Sequence, residues 1–267
     1  RNACISYNVQ QSGSTQISYA DAADTIARSF AMWTGVTCLT EGSGRSRVSM
    51  DVRDLGPVEC GKLDFSTDGP NQNVIVFRDD VWPHDDPRRG TLALTTVTFN
   101  ANTGEIYDAD MEINTTLKIT LVEPVPVDSY DFASVVLHET GHFLGLAHSC
   151  DPRAVMFSEY TQGKSGLRHL GLDDITGLCA VYQPDGTRSV VDGGALPAGP
   201  QCDPAPRGGF SSACAQPRQS SCTGSARVAA RAPTAHGWVA AFVALAATLG
   251  LRRTRRRSER PRDIAAE

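Results

Sequence analysis

Apolar and polar positions change period several times along this chain, and each change predicts an element. Cys4 to Val9 alternates, as a half-buried strand does. From Ser18 the spacing lengthens to that of a helix. Ala22, Ile26, Phe30 and Trp33 recur at three- and four-residue intervals to about Thr34, and Trp33 is read as core. Ser18-x-x-Asp21 opens this helix as a capping box. Arg47–Val52 and Asn73–Phe77 are short apolar runs bounded by Gly, Pro and Asp, and are read as strands. Thr91–Phe99 and Glu105–Ile113 make a hairpin whose connection, Asn100 to Gly104, carries turn-forming residues. Near Ser129 begins a helix-prone apolar run. Strand, helix, strands, hairpin and helix in that order predict an α/β (α+β) domain, a twisted mixed sheet with helices packed on it.

Charge divides the chain. Residues 1–184 hold 13 Lys+Arg against 24 Asp+Glu, a net of −11, whereas residues 185–267 hold 12 against 6, a net of +6. An acidic domain with a basic tail excludes a nucleic-acid binder, because the positive charge is not spread over a folded face. The domain is taken as 1–184. Residues 185–235, rich in Pro, Gly, Ala, Ser and Arg, read as a linker without a core of its own, within which Cys202 and Cys214 close a small loop. Residues 236–267 contain the uninterrupted apolar run Gly237–Leu251 and then an Arg cluster from Arg252 to Arg257. At fifteen residues the run is short of the ~20 that span a bilayer, and the Arg cluster would hold its end on the cytoplasmic side. Eight scattered cysteines with no C-x-x-C pair point to disulfides and an oxidising compartment.

The helix-prone run contains His138-Glu-Thr-Gly-His-Phe-Leu-Gly-Leu-Ala-His148. Positions four apart share a helix face, so His138 and His142 can present imidazoles to one ion. Gly145 can take the positive φ that ends a helix and returns the chain, which brings His148 round as a third ligand. Three neutral imidazoles with a vacant fourth position suit catalytic zinc. Glu139 is placed to serve a water rather than the metal. A bare H-E-x-x-H occurs by chance in helices that bind nothing, but the added Gly and third His make five fixed positions in eleven. Eight residues beyond His148 lies Met156, where a hydrophobic floor under the imidazoles would fall.

The stretch from Asp131 to Ser149 resembles the active-site helix of the metzincin zinc peptidases, and Ser149 directly after the third His resembles the matrixin branch. Leu172 to Leu178 and Tyr182 are similar to the matrixin C-terminal helix. The chain departs from that pattern at Ser158, and it lacks a set of His and Asp ligands for a second, structural zinc. The resemblance implies a five-stranded mixed sheet with an active-site helix and a C-terminal helix. It also implies an edge strand along which a peptide substrate lies, and a pocket for the side chain after the cut bond shaped by Phe157 to about His169. His169 itself is read as a surface residue. Cys150 and Cys179 flank the methionine segment and are expected to pair, which leaves Cys4, Cys38 and Cys60 with one odd member. Calcium is carried as a secondary cofactor. For Asp108, Asp110 and Glu112, which alternate on one strand, a solvated face accounts better than a calcium site, and Asp79, Asp80, Asp85 and Asp86 beside Trp82 and His84 are the lesser alternative.

The function expected is a monomeric, exported zinc endopeptidase acting on proteins or peptides, with Glu139 as the base and His138, His142 and His148 as ligands. The tail resembles the C-terminal sorting signals of myxobacterial exported proteins, implying sorting machinery or the membrane as its partner and the bacterial envelope or exterior as the location. The alternative is a surface adhesin keeping zinc for structure; loss of Glu139 or a fourth protein ligand would mark it, and the sequence has neither. A signalling protein would need more than the sixteen residues after the apolar run.

Overall fold

A computed structural model describes residues 4–40, 44–61, 63, 65–84, 90–189, 194–196, 203–211, 214 and 262–266. In chain order the elements are β1 (Cys4–Gln10), α1 (Tyr19–Thr34), β2 (Thr37–Leu39), β3 (Arg45–Arg47), β4 (Asp51–Val58), β5 (Val74–Arg78), β6 (Ala93–Phe99) and β7 (Ile106–Asn114). Then follow β8 (Ile119–Thr120), β9 (Tyr130–Asp131), α2 (Phe132–Phe143), α3 (Leu172–Val181), β10 (Arg188–Ser189), β11 (Ala195–Leu196) and β12 (Arg262–Ala266). The principal sheet runs β4-β1-β5-β7-β6, with β12 beyond β6. Pairing is parallel from β4 to β7 and antiparallel between β6 and β7 and between β12 and β6. No helix among the described residues is long and apolar enough to cross a membrane.

Helix α1 starts where its cap dictates: the Ser18 hydroxyl accepts from the Asp21 amide, and Ala22, Ile26, Phe30 and Trp33 form its buried stripe. That stripe joins sheet to active-site helix. Tyr7 of β1 stacks on Phe30 at 4.7 Å between ring centroids, and Phe30 meets Phe143 of α2 edge-on at 5.3 Å. Trp33, fully buried, donates its indole N–H to the Leu137 carbonyl at 2.9 Å, so α1 fixes the height of α2 above the sheet. The predicted hairpin forms, with Ala93 opposite Ile113 and Thr96 opposite Asp110.

Four expectations are corrected. Arg47–Val52 is not one strand; β3 and β4 divide it. Asp108, Asp110 and Glu112 are no solvated face: all three are buried, Asp110 accepts from the Val74 amide, and Glu112 takes Arg78 and His84. Burial lifts the Asp108 carboxyl to about 6. Alternation identifies a strand face but not what meets it, and here Arg78 and His84 meet Glu112 while the Val74 amide meets Asp110. Cys179 pairs with Cys38 rather than Cys150, whose thiol is free and exposed: α3 meets the segment after His148 through Asp173 and Asp174 near its start, while Cys179 near its end lies beside β2. Cys214 pairs with Cys60, not with Cys202.

The stretch after Pro184 is tied to the domain at several points. Besides the Cys60–Cys214 bond, Arg207 bridges to Asn71 and the Ser211 amide donates to Gln72, while Arg188 donates to the Ser49 carbonyl and hydroxyl. The compact unit holding these elements reaches Pro217. Asp85, Asp86, Cys202 and the apolar run with its Arg cluster lie outside the described residues.

Candidate metal centre and active site

Helix α2 begins at its N-cap Asp131, whose carboxylate accepts from the Ser134 amide, and it runs buried on nearly every side through Phe143. It ends as the sequence predicts. Gly145 has φ +86°, and the Leu146 amide folds back to the Gly141 carbonyl. The return delivers His148 to the other two imidazoles. Ring centroids are 4.6 Å apart for His138 and His142, 4.7 Å for His142 and His148, and 5.2 Å for His138 and His148. One ligand atom from each lies within 4.8 Å of the others, the one such cluster among the described residues.

The imidazoles are oriented from behind. His138 Nδ1 faces the Val155 carbonyl and His142 Nδ1 faces the Leu146 carbonyl, both at 2.7 Å. A carbonyl only accepts, so each Nδ1 carries the proton and each Nε2 keeps a lone pair for a metal. Burial lowers His138 to about 3, aided by His142, and lowers His142 to about 4, with His148 adding to the effect. Both rings are thus neutral, the form that ligates. The donor set fits zinc: three imidazole nitrogens, no fourth side chain in the cluster, and an apolar floor.

That floor is Met156. A Cβ on Gly141 would lie 2.3 Å from the Met156 sulfur and 2.9 Å from the Trp33 ring, so glycine inside H-E-T-G-H is what lets methionine and tryptophan close beneath the helix. The segment is pinned by Asp174 of α3, a buried carboxylate accepting from the amides of Val155 (2.8 Å), Met156 (3.0 Å) and Gly171 (2.7 Å). Since the Val155 carbonyl holds His138, Asp174 positions the first imidazole through the Met156 turn.

Glu139 stands outside the triad. Its Oε2 accepts from the Thr95 hydroxyl of β6 at 2.6 Å, a contact between residues 44 apart in sequence. Burial raises its carboxyl to about 7, with Thr95 pulling the other way. A cation held by the three histidines favours its ionised form. Sequence reasoning passed over Thr95, and it placed Asp174 in the matrixin-like helix and Tyr160 in the pocket stretch without giving either a role of its own. Tyr160 packs edge-on against His138 at 5.5 Å and donates to the Ser134 carbonyl, with burial holding its phenol protonated. His169 is exposed and away from the triad.

Residues 62–183 match the sequence pattern of the Matrixin family. The chain carries a matrixin-like metzincin domain. Matrix metalloproteinase-20 of Homo sapiens is 36% identical over 105 residues, covering 39% of this chain and 20% of that protein. The interstitial collagenase of Bos taurus is 30% identical over 192 residues, 68% of this chain and 32% of the relative. Metalloendoproteinase 1 of Glycine max is 29% identical over 182 residues, 64% of this chain and 52% of the relative. The chain therefore spans between a fifth and about half of these relatives. In the matrixin-like domain the metal cluster, the Met156 turn and α3 all fall inside the matched stretch.

Proposed function

We propose that this chain is a zinc-dependent endopeptidase in which His138, His142 and His148 hold the metal and Glu139 is the general base. One observation carries the reading: three imidazole nitrogens converge while the carboxylate beside the first ligand is kept out of the set and hydrogen-bonded to Thr95. Bound there, zinc would acidify a water molecule and polarise the scissile carbonyl. Glu139 takes the proton of the attacking water and returns it to the leaving amine. Thr95 fixes the Oε2 end of that carboxylate, and the Val155 and Leu146 carbonyls keep the proton of two imidazoles on Nδ1, leaving each Nε2 free to ligate. The strand carrying Thr95 supports peptide recognition by strand addition, for β12 already pairs antiparallel along its outer edge, with Ala266 opposite Thr95 and Arg262 opposite Phe99.

The disulfides support export to an oxidising compartment, as the composition suggested. The segment from Gly237 to Arg257 acts as an address at the envelope, so deletion of residues 234–267 is expected to release active peptidase into the medium. The test of the central reading is cleavage of a random-peptide library by the purified chain, abolished by a chelator and restored by zinc. Zinc binding at one equivalent without cleavage of any peptide would favour the adhesin instead.

A further inference from the structure

Between Met156 and α3 the chain runs through Phe157 to Gly171 without helix or paired strand beyond a single bridge at Phe157, yet it forms one side of the metal centre. One end of this loop carries Tyr160, whose ring lies on His138. Its middle is held lightly: the Gly163 amide donates to the Ser129 carbonyl, Ser165 to Glu123, and Gln162 to the Asp128 carbonyl at 3.4 Å. Its far end carries one strong attachment. Arg168 makes a two-pronged bond to Asp131, Nε to Oδ2 at 2.8 Å and Nη2 to Oδ1 at 2.7 Å, and the same Nη2 reaches Glu123 at 2.7 Å.

The partner of Arg168 is no ordinary surface acid. The Asp131 side chain is 1% exposed and is the N-cap of the helix bearing His138 and His142. Burial alone would raise its carboxyl, but Arg168 and Ser134 together hold it below the usual range. A planar guanidinium fixes both direction and distance at a carboxylate, which an ammonium does not. The loop is thus registered to the start of α2 at one end and to the first metal ligand at the other.

We propose that Arg168 is a positioning residue for substrate specificity. By clamping the 157–171 loop to the cap of α2, it sets the depth and width of the space beside His138 that receives a substrate side chain. This rests on the peptidase reading above, and the loop measurement below separates the two.

The decisive variant is the pair Arg168→Met with Asp131→Asn. Asparagine keeps the N-cap, and the pair leaves no buried charge without a partner, whereas Arg168→Met alone strands Asp131 and risks the fold. The full chain is compared with this pair and with Arg168→Lys. In the pair, zinc stoichiometry stays at one equivalent, and cleavage of a peptide with alanine on both sides of the cut keeps its kcat. KM for the best library peptide rises by roughly tenfold, the scale of a misfitted apolar pocket, and the preference at that position flattens. Arg168→Lys restores part of the preference, and hydrogen exchange at the Gly163 amide quickens in the pair. An unchanged cleavage profile with the clamp removed would overturn the proposal. If the parent chain cleaves nothing, the peptidase reading fails by itself, and unaltered exchange at Gly163 then refutes the clamp.

Discussion

Replacing Asp174 by alanine tests the coupling between α3 and the metal centre. The carboxylate is 2% exposed and accepts three backbone N–H groups, two of them from the buried Val155 and Met156. Alanine offers no acceptor, and the site is too enclosed for water to replace all three bonds. A buried donor left unpaired costs about 1–3 kcal/mol, so two of them with the half-buried Gly171 amide come to about 3–5 kcal/mol. Against a total of about 5–15 kcal/mol for a folded domain, that is a large fraction. At about 2–4 °C per kcal/mol for a unit of this size, Tm should fall by about 10 °C. A second effect is expected at the metal. The Val155 carbonyl that orients His138 belongs to the released turn, and loss of such an outer partner weakens metal binding by about 10–100-fold. The assays are thermal unfolding with zinc in excess and zinc affinity by competition with a fluorescent chelator. Asp174→Asn, which keeps one acceptor oxygen, should fall between the two. A Tm within about 2 °C of the parent together with unchanged zinc affinity would refute the argument.

Glu139→Ala should keep zinc near one equivalent and lose peptidase activity by several orders of magnitude; activity within about tenfold of the parent would remove the base from its role. His148→Ala should lose the metal, measured by atomic absorption after dialysis. The metal-free chain should lose stability as pH falls. His138 and His142 titrate near 6.5 unfolded but are lowered to about 3 and about 4 when folded, so the unfolded chain binds more protons through that window. Glu139, raised to about 7, and Asp108, raised to about 6, act in the opposite sense, so the effect is cleanest in metal-free Glu139→Ala with Asp108→Asn, where a urea midpoint independent of pH between 6.5 and 4 would contradict it. Alkylation of the native protein followed by peptide mapping should label Cys150 and leave Cys38, Cys60, Cys179 and Cys214 unlabelled. Removing the Cys38–Cys179 bond, which closes a span of 141 residues, should cost on the order of 4–5 kcal/mol in the chain-entropy estimate, read by denaturant unfolding.

Features resting on neighbours along the chain were readable from the residues alone. The Ser18 cap, the α1 stripe and the β6–β7 hairpin follow from local periodicity and turn chemistry, and the spacing of His138, His142, Gly145 and His148 follows from helix geometry. What tertiary structure decided is pairing across long separations. Thr95 reaches Glu139 across 44 residues and Trp33 reaches Leu137 across 104, and no local pattern distinguishes these from other threonines and tryptophans. Cysteine partners escaped for the same reason. Loop closure depends only weakly on length, so nearness in sequence did not favour Cys150 over Cys38 as the mate of Cys179. The alternating acids of β7 carried the right period with the wrong surroundings. A strand's period is set by its own backbone, whereas burial is set by whatever packs over it, and Arg78 and His84 arrive from another part of the chain.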